Sequence, residues 1–169
     1  MVKSFSERPF DQRFSEMGDQ SESVYEAVRP FGNTIRFGFR RPKGINFRKL
    51  PKTIAHMPDY MTETNLVEVM GLGRDGILKS MKVEKYEALK IWSRVAGTLG
   101  LDAGIWFFVW NSNQHQFAII QWGKMVDLVA KSKKQLGIQK FEEDGNEYYP
   151  LPWEWLLDTA SWVGSYGDK

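Results

Sequence analysis

The sequence has no cysteine and only two histidines among its 169 residues. A chain without cysteine forms neither disulfides nor thiolate zinc sites, and two histidines are too few for a histidine-rich zinc site. Any bound metal ion is therefore expected to have oxygen ligands, which indicates Mg²⁺ or Mn²⁺. The sequence also lacks an apolar signal segment and any run near the roughly 20 apolar residues that cross a bilayer. We therefore expect a cytoplasmic protein with no membrane partner.

The residues that are present suffice for a packed core. Hydrophobic residues make up 42% of the chain and aromatic residues 14%, which at this length favours one domain. We expect an N-terminal arm over residues 1–18, a core over residues 19–134, and a hairpin with a tryptophan-rich helix over residues 135–169 that packs on the core. The formal net charge of +2 permits a nucleic-acid partner without requiring one.

The spacing of apolar residues predicts alternating helices and strands. Residues 34–39 alternate with the period of a half-buried strand, and the continuous apolar run over residues 105–110 is typical of a central strand covered on both faces. The predicted elements are a first helix at about 19–29, strands at 34–39, 56–61, 66–70, 105–110 and 117–121, helices at 77–95, 125–134 and 152–162, and a hairpin at 137–149. This order predicts an α/β fold with a mixed central β-sheet flanked by helices.

Two carboxylates lie at the ends of neighbouring predicted strands. Asp59 belongs to the segment MPDY, residues 57–60, and Glu68 belongs to LVEVMG, residues 66–71. Carboxylates on adjacent strands can share one divalent ion, and such an ion beside an ammonium group suits the hydrolysis of a phosphodiester. The alternative interpretation of the same two residues is a turn acid and a surface acid.

A helix acid, a Pro-Asp pair and a Glu-Val-x-Gly strand end resemble the PD-(D/E)xK nuclease superfamily, in its branch of phage-encoded Holliday junction resolvase-like and RecB-like nucleases. The resemblance covers residues 21–121 and implies a restriction-endonuclease-like αβββαβ core. It implies that Asp59 and Glu68 bind Mg²⁺ or Mn²⁺, and that Glu22, or Glu26 in its place, completes the metal site. It also implies DNA as the partner, branched DNA included, a homodimer as one candidate assembly, and the host cell cytoplasm as the location.

The sequence departs from the superfamily at Met70, where a lysine usually stands two residues after the glutamate. The following predicted helix offers a replacement, because Lys85 falls in the middle of its apolar stripe and a core-facing lysine is costly unless it is paired or functional. We expect Lys85, then Lys82, then Lys79, to supply the catalytic ammonium. The alternative is that Lys85 extends along the stripe to reach water. The stripe consists of Leu78, Met81, Leu89, Trp92 and Ala96.

Basic residues and a glycine loop predict contacts with DNA phosphate. Residues 36–52 carry seven basic residues and no acid, which is a solvated surface or a phosphate-binding one. Residues 71–76 fit the pattern G-x-G-x-x-G of a nucleotide-cofactor site, but the strand expected after the next helix ends in Trp110 and Asn111, without the acid that binds a ribose. The expected contacts with the DNA backbone are Arg40, Arg41, Lys43 and Arg74.

Three functions are compatible with these residues. The first is a metal-dependent DNA endonuclease with resolvase-like activity, encoded by a phage. The second is a catalytically inactive nuclease-fold protein that binds DNA or other virion proteins, with Met70 marking the loss of activity. The third is a nucleotide-cofactor protein that uses residues 71–76.

Overall fold

The computed structural model of the chain describes residues 9–39, 46 and 49–167, and for residues 10 and 11 it describes the backbone alone. The helices are α1 (Phe10–Val28), α2 (Lys52–Ala55), α3 (Val83–Thr98), α4 (Trp122–Gln135) and α5 (Trp153–Thr159). The strands are β1 (Ile35–Arg36), β2 (Tyr60–Met61), β3 (Asn65–Gly71), β4 (Ile77–Leu78), β5 (Gly104–Asn111), β6 (Gln116–Gln121), β7 (Gln139–Lys140), β8 (Glu147–Tyr148), β9 (Leu151–Pro152) and β10 (Trp162–Ser165). None of the helices in this part of the chain has both the length and the hydropathy needed to span a membrane.

Six strands form a central sheet in the order β1-β2-β3-β5-β6-β10. β3 and β5 are parallel, and the other neighbouring pairs are antiparallel. α3 connects β3 to β5, because two parallel strands need a crossover between them. The order α1-β1-β2-β3-α3-β5 is the predicted αβββαβ order with α2 and β4 inserted. The predicted α/β fold with a mixed sheet and flanking helices is confirmed.

The two faces of β3 belong to two cores, because successive side chains of a strand point to opposite sides. Leu66 and Met70 pack into a cluster with apolar residues of α3, α4 and α5. Val67 and Val69 pack into a second cluster with residues of α1. Glu68 alternates with Val67 and Val69, so it lies on the α3 face between two apolar neighbours. The sheet therefore carries one carboxylate into its larger core.

The longest predicted helix starts later than expected. α3 begins at Val83, whereas the prediction placed its start at Ile77. Ile77 and Leu78 instead form β4, which pairs antiparallel with Leu151–Pro152 of β9. Gly76 precedes β4 with a φ of 75°, a left-handed conformation that glycine adopts readily. A strand pairing with a segment far along the chain thus overrides the local helical period.

The first helix starts earlier than expected, since α1 begins at Phe10, inside the segment predicted to be an arm. The alternation predicted over residues 34–39 is only partly observed, since Phe37 packs against the larger core while the other two apolar side chains are exposed. Ile35 is 60% exposed and Phe39 57% exposed, while Arg36 is partly buried against Glu22 of α1. An ion pair with α1 therefore decides which face of β1 points inward.

The C-terminal helix is shorter than expected and is followed by a strand that the sequence did not predict. α5 ends at Thr159, and Trp162 begins β10, where it pairs with Ile119 of β6. Close packing explains the small residue in β10, because a Cβ on Gly164 would lie 2.3 Å from the ring of Phe117. The predicted hairpin is confirmed by the pairing of β7 with β8.

Candidate functional site

The site lies where β2 separates from β3. The residue before β2 is Asp59, and its backbone carbonyl accepts hydrogen bonds from the N–H groups of Phe37 and Gly38 at 2.9 and 3.2 Å. Its side chain turns to the other strand, where Oδ2 accepts a hydrogen bond from the backbone N–H of Val69 at 2.7 Å. The carboxylate thus accepts the hydrogen bond that a backbone carbonyl of a neighbouring strand would otherwise accept. This contact fixes it beside β3.

Glu68 and Lys85 meet on the α3 face of the sheet. Glu68 is 1% exposed, and the Lys85 ammonium donates a hydrogen bond to its Oε1. Glu68 Oε2 is buried and has no hydrogen-bond partner among the described residues. A buried carboxylate with one oxygen paired and the other unsatisfied retains the capacity to bind a further donor or a cation.

The charges of Asp59, Glu68 and Lys85 shift one another's pKa values. Burial raises the pKa of Glu68, and the charge of Lys85 offsets only part of the rise. Burial, followed by the charge of Glu68, raises the pKa of Asp59 well above its ordinary value. Burial alone would lower the pKa of Lys85, but the charges of Glu68 and Asp59 outweigh it and raise this pKa. Added positive charge would therefore stabilise the ionised forms of both carboxyls.

Met70 lies in the core and contributes no charge to the site. It is 2% exposed and packs in the cluster that includes Leu66 and Leu89. The strand position two residues after Glu68 is thus filled by apolar packing, and Lys85 contacts Glu68 from the helix. Lys85 therefore contacts one of the two predicted acids, Glu68, and its catalytic role stays a prediction.

The helix acids have other partners. Glu22 Oε2 accepts a hydrogen bond from Arg36 Nη2 at 2.8 Å, and Glu26 Oε1 accepts one from the Tyr60 hydroxyl at 2.6 Å. No group of three or more His, Asp or Glu side chains within the described residues is arranged to hold a metal ion. The structure therefore does not gather Glu22, Asp59 and Glu68 into the three-carboxylate ligand set that we expected.

The two other candidate lysines contact acids away from the site. Lys79 Nζ lies 2.6 Å from Asp75, and Lys82 Nζ lies 3.9 Å from Asp144. The contact with Glu68 comes from Lys85, and which of the three lysines supplies a catalytic ammonium stays a prediction.

Of the four residues expected to contact DNA, the structure describes Arg74 alone. Arg74 lies on the exposed loop between β3 and β4, where its backbone carbonyl accepts a hydrogen bond from Asn113 Nδ2 at 3.1 Å. Arg40, Arg41 and Lys43 lie outside the described residues. Because β4 separates the glycine loop from α3, the loop does not lead directly into a helix. The strand-loop-helix setting of a dinucleotide site is therefore missing over residues 65–98.

A second ionic group beside Lys85 was not predicted from the sequence. His56 Nε2 lies 3.2 Å from Glu84 Oε1, and Lys52 lies 2.7 Å from Glu84 Oε2. Burial, followed by the charge of Lys85, lowers the pKa of His56 to about 4. α2 is held on α3 by the Trp92 indole, which donates to the carbonyl of Thr53 at 2.9 Å. Because α2 falls between two predicted strands, local pattern gave no signal for this contact.

Comparison with known proteins gives little beyond this geometry. No family model matches the chain, and no curated protein matches its sequence. Among solved structures, the chain is similar to D212, a nuclease from a fusselovirus, with 12% sequence identity and a TM-score of 0.39. The alignment covers 88% of this chain and 86% of that chain. A likeness of this degree carries no argument about the site residues.

Proposed function

We propose that the protein is a metal-dependent DNA phosphodiesterase in which Asp59 and Glu68 hold Mg²⁺ or Mn²⁺ and Lys85 supplies the ammonium. One observation carries the proposal: Glu68 is buried, with one oxygen on Lys85 and the other without a partner in the described part of the chain. A buried carboxylate without a functional role is usually fully satisfied. The unsatisfied oxygen lies on a residue whose charge raises the pKa of Asp59.

The donor set fits a divalent ion that binds oxygen. Mg²⁺ is commonly held by one or two carboxylates, with substrate phosphate oxygens and water completing its shell. Asp59 and Glu68 supply two carboxylates, so a third is not required for the fit. When bound, such an ion stabilises negative charge on phosphoryl oxygens and lowers the pKa of coordinated water. Glu22 remains a proposed additional ligand, which would have to exchange its contact with Arg36.

The side chains of the chain have separate tasks in this proposal. The hydrogen bond from Val69 N–H orients the Asp59 carboxylate, and apolar neighbours exclude water from the Glu68 side chain. Lys85 remains charged because both carboxyls raise its pKa. Its ammonium can donate to the attacking water or to a phosphoryl oxygen where negative charge grows. In this proposal Lys85 takes the role that, in the superfamily the motif resembles, belongs to a lysine at the position of Met70.

The finer part of the proposal concerns the substrate. A resolvase-like activity on branched DNA by a homodimer is inferred from the motif resemblance alone. Arg74 and the basic segment with Arg40, Arg41 and Lys43 are proposed to contact the DNA backbone, since lysine and arginine supply most of the electrostatic affinity for phosphate.

Cleavage of supercoiled plasmid and of a four-way DNA junction tests the activity in Mg²⁺, in Mn²⁺ and in EDTA. We expect cleavage with either ion and none in EDTA. Asp59→Asn and Glu68→Gln should each lower the rate by about 100-fold or more, which is the scale for loss of a catalytic electrostatic group. Glu63→Gln is the matched control, because Glu63 is an exposed carboxylate in the loop between β2 and β3. Activity that survives both substitutions would contradict the site.

A specific contact favours a second function. The Glu22 carboxylate is engaged by Arg36 at 2.8 Å, so a nuclease-fold protein without activity, which binds DNA or virion proteins, also fits the site. This candidate predicts DNA binding that does not depend on a divalent ion, together with no cleavage of plasmid or junction under any of the conditions above. Filter binding measured beside the cleavage assay separates the two functions.

A further inference from the structure

A cavity of about 620 Å³ lies between α1, the loop over residues 71–76 and the hairpin β7-β8. This volume falls in the range of small-molecule sites, roughly 300 to 1,000 Å³. None of Asp59, Glu68 and Lys85 is among the described residues that line it. The cavity is therefore a second place on the molecule, separate from the acidic pair.

The glycine loop brings the cavity wall close to α1. A Cβ on Gly71 would lie 2.7 Å from the Ser21 hydroxyl and 3.1 Å from the carbonyl of Met17. Gly71 is thus required for the approach of α1 to the end of β3, and this approach closes one side of the cavity.

Two cations on the cavity wall have exposed acidic partners, and Lys79 Nζ lies 2.6 Å from Asp75, with the two side chains 35% and 46% exposed. Arg13 Nη2 lies 3.7 Å from Glu143, and the two side chains are 32% and 45% exposed. An ion pair this long and this exposed contributes little, about 0 to 1 kcal/mol. An anionic ligand with two or three charged oxygens can therefore displace Glu143. Arg74, Lys79 and Lys140 also line the cavity, against the acids Asp75 and Glu142.

Unsatisfied polar atoms lie beside these cations. Arg13 Nε and Ser80 Oγ are buried and lack a hydrogen-bond partner within the described residues, and both residues line the cavity. A buried donor without a partner is unfavourable, so a small movement of either side chain toward a ligand that accepts hydrogen bonds would be stabilising.

Aromatic rings form the opposite wall. The Phe14 ring packs edge-on against Phe141 with centroids 5.9 Å apart, and Phe141 packs against Tyr148 at 4.5 Å. Phe141 and Tyr148 are buried, whereas Phe14 lines the cavity and is partly exposed, with the Lys82 ammonium 5.3 Å from its ring centroid. A supported, partly exposed ring next to cations is the combination that binds unpaired nucleobases and their phosphates.

We propose that this cavity binds an unpaired nucleotide of a nucleic-acid strand, with its base against Phe14 and its phosphate at Arg13, Arg74 and Lys79. The inference deepens the proposed function and rests on it for the identity of the strand as substrate. It assigns the single-stranded part of a branched or nicked DNA to a defined place. The chemical class, an aromatic base joined to a phosphate, is shared by free nucleotides.

A neighbouring cavity favours a strand over a free nucleotide. This second cavity, of about 550 Å³, is lined by Glu16, Met17, Gln20, Leu72, Arg74, Ser112 and Asn113. It shares Met17 and Arg74 with the first, so the two cavities meet beside α1. One nucleotide fills one cavity, whereas a strand can continue from one to the other.

Fluorescence anisotropy with the full chain in EDTA tests the proposal, because binding is then measured without cleavage. The probes are a labelled six-nucleotide single strand with a 5′-phosphate, a blunt hairpin duplex of the same sequence, and thymidine 5′-monophosphate as competitor. We expect the single strand to bind at least about tenfold more tightly than the duplex. The monophosphate should compete, at higher concentration than an unlabelled strand.

Variants of the cavity wall should change this affinity selectively. Phe14→Leu should weaken single-strand binding about tenfold, the scale of one base stacked on a ring, while Phe14→Tyr should retain it. Arg13→Gln should also weaken it, and Arg94→Gln, at an exposed position on α3, is the matched control.

Three results would overturn the proposal: equal binding of duplex and single strand, equal binding of monophosphate and strand, or affinity unchanged in both Phe14→Leu and Arg13→Gln with thermal unfolding as in the parent chain. Because binding is measured in EDTA, the affinity of the cavity is obtained without cleavage at Asp59 and Glu68. Single-strand binding without any nuclease activity would therefore reject the proposed function and keep the cavity assignment, and the converse result would reject the cavity alone.

Discussion

Two glutamates near Asp59 are paired with cations, and the two pairs differ in burial and in what each leaves unsatisfied. Glu68 and Lys85 have side chains 1% and 21% exposed, whereas Glu22 and Arg36 are 19% and 26% exposed. Among the described residues, the first pair leaves an acceptor unsatisfied, Glu68 Oε2, and the second leaves two donors, Arg36 Nε and Nη1. The deeper pair is therefore suited to bind a cation through the free acceptor oxygen of Glu68. The outer pair has unsatisfied donors and is not suited to bind one.

The largest effect should follow removal of the lysine from the deeper pair. Lys85→Met leaves the Glu68 carboxylate buried without its cation, which is expected to lower the free energy of unfolding by about 3 to 5 kcal/mol. Urea unfolding at pH 7 measures the change. Lys90→Met is the matched control, because Lys90 lies on the same helix with its side chain 42% exposed and pairs with Glu87 at 3.0 Å.

Adding Glu68→Gln to Lys85→Met should recover much of the lost stability, since no buried charge then remains. An equally large loss in the double variant would mean that Lys85 stabilises the fold through packing of its aliphatic chain and not through charge.

His56 is expected to report the charge of Lys85 through pH. Its folded-state pKa of about 4 lies below the unfolded value near 6.5. As the pH falls from 6.5 to 4, the unfolded state binds a proton that the folded state does not. The contribution of His56 to the free energy of unfolding should therefore fall in this interval, by on the order of 2 kcal/mol between pH 7 and pH 5. Urea unfolding across this range should show a flatter profile for His56→Gln.

NMR titration of the His56 ring compares the Glu68–Lys85 pair with the Glu22–Arg36 pair, because it measures how each pair affects the pKa of His56. The pKa of His56 should rise in Lys85→Met, because one of the charges that lower it is removed. Arg36→Met should leave the pKa unchanged. An equal response to both substitutions would show that the two pairs share one electrostatic environment.

Relocation of the lysine tests whether its charge or its position on the helix matters. Glu68 and Met70 point to the same face of β3, about 7 Å apart along the strand. Adding Met70→Lys to Lys85→Met should place an ammonium near Glu68 again and raise the cleavage rate about tenfold above that of Lys85→Met alone. In the parent chain, Met70→Lys should only lower stability, since it buries a charge in the core. If the cleavage rate of the double variant does not rise, the position of the lysine on α3, and not its charge alone, is required for activity.

The contrast between the two pairs also separates what the sequence could predict from what it could not. The contact of Lys85 with Glu68 was predictable, because both residues belong to local patterns: Glu68 lies inside an apolar strand and Lys85 inside an apolar helical stripe. The partner of Glu22 was not predictable, because Arg36 is 14 residues away and its partly buried position does not follow the alternation predicted for residues 34–39.

Non-local pairing also explains the errors in the predicted elements. β4 has a helical pattern, and it becomes a strand only through its contact with β9, more than 70 residues later. β10 likewise depends on β6. The hairpin β7-β8, whose pairing is local, was predicted correctly.

The smallest effect should follow disruption of the outer pair. Arg36→Met removes an ion pair between half-buried side chains, and it also removes two buried guanidinium nitrogens that lack partners in the described part of the chain. The lost attraction and the relieved desolvation oppose each other, so the free energy of unfolding should change by about 1 kcal/mol or less. Urea unfolding at 50 and at 500 mM NaCl measures this change and its screening by salt, with Glu22→Gln as the reciprocal variant. A loss as large as that of Lys85→Met would show that both pairs are equally buried in solution, and the outer pair would then have to be treated as part of the same charged cluster.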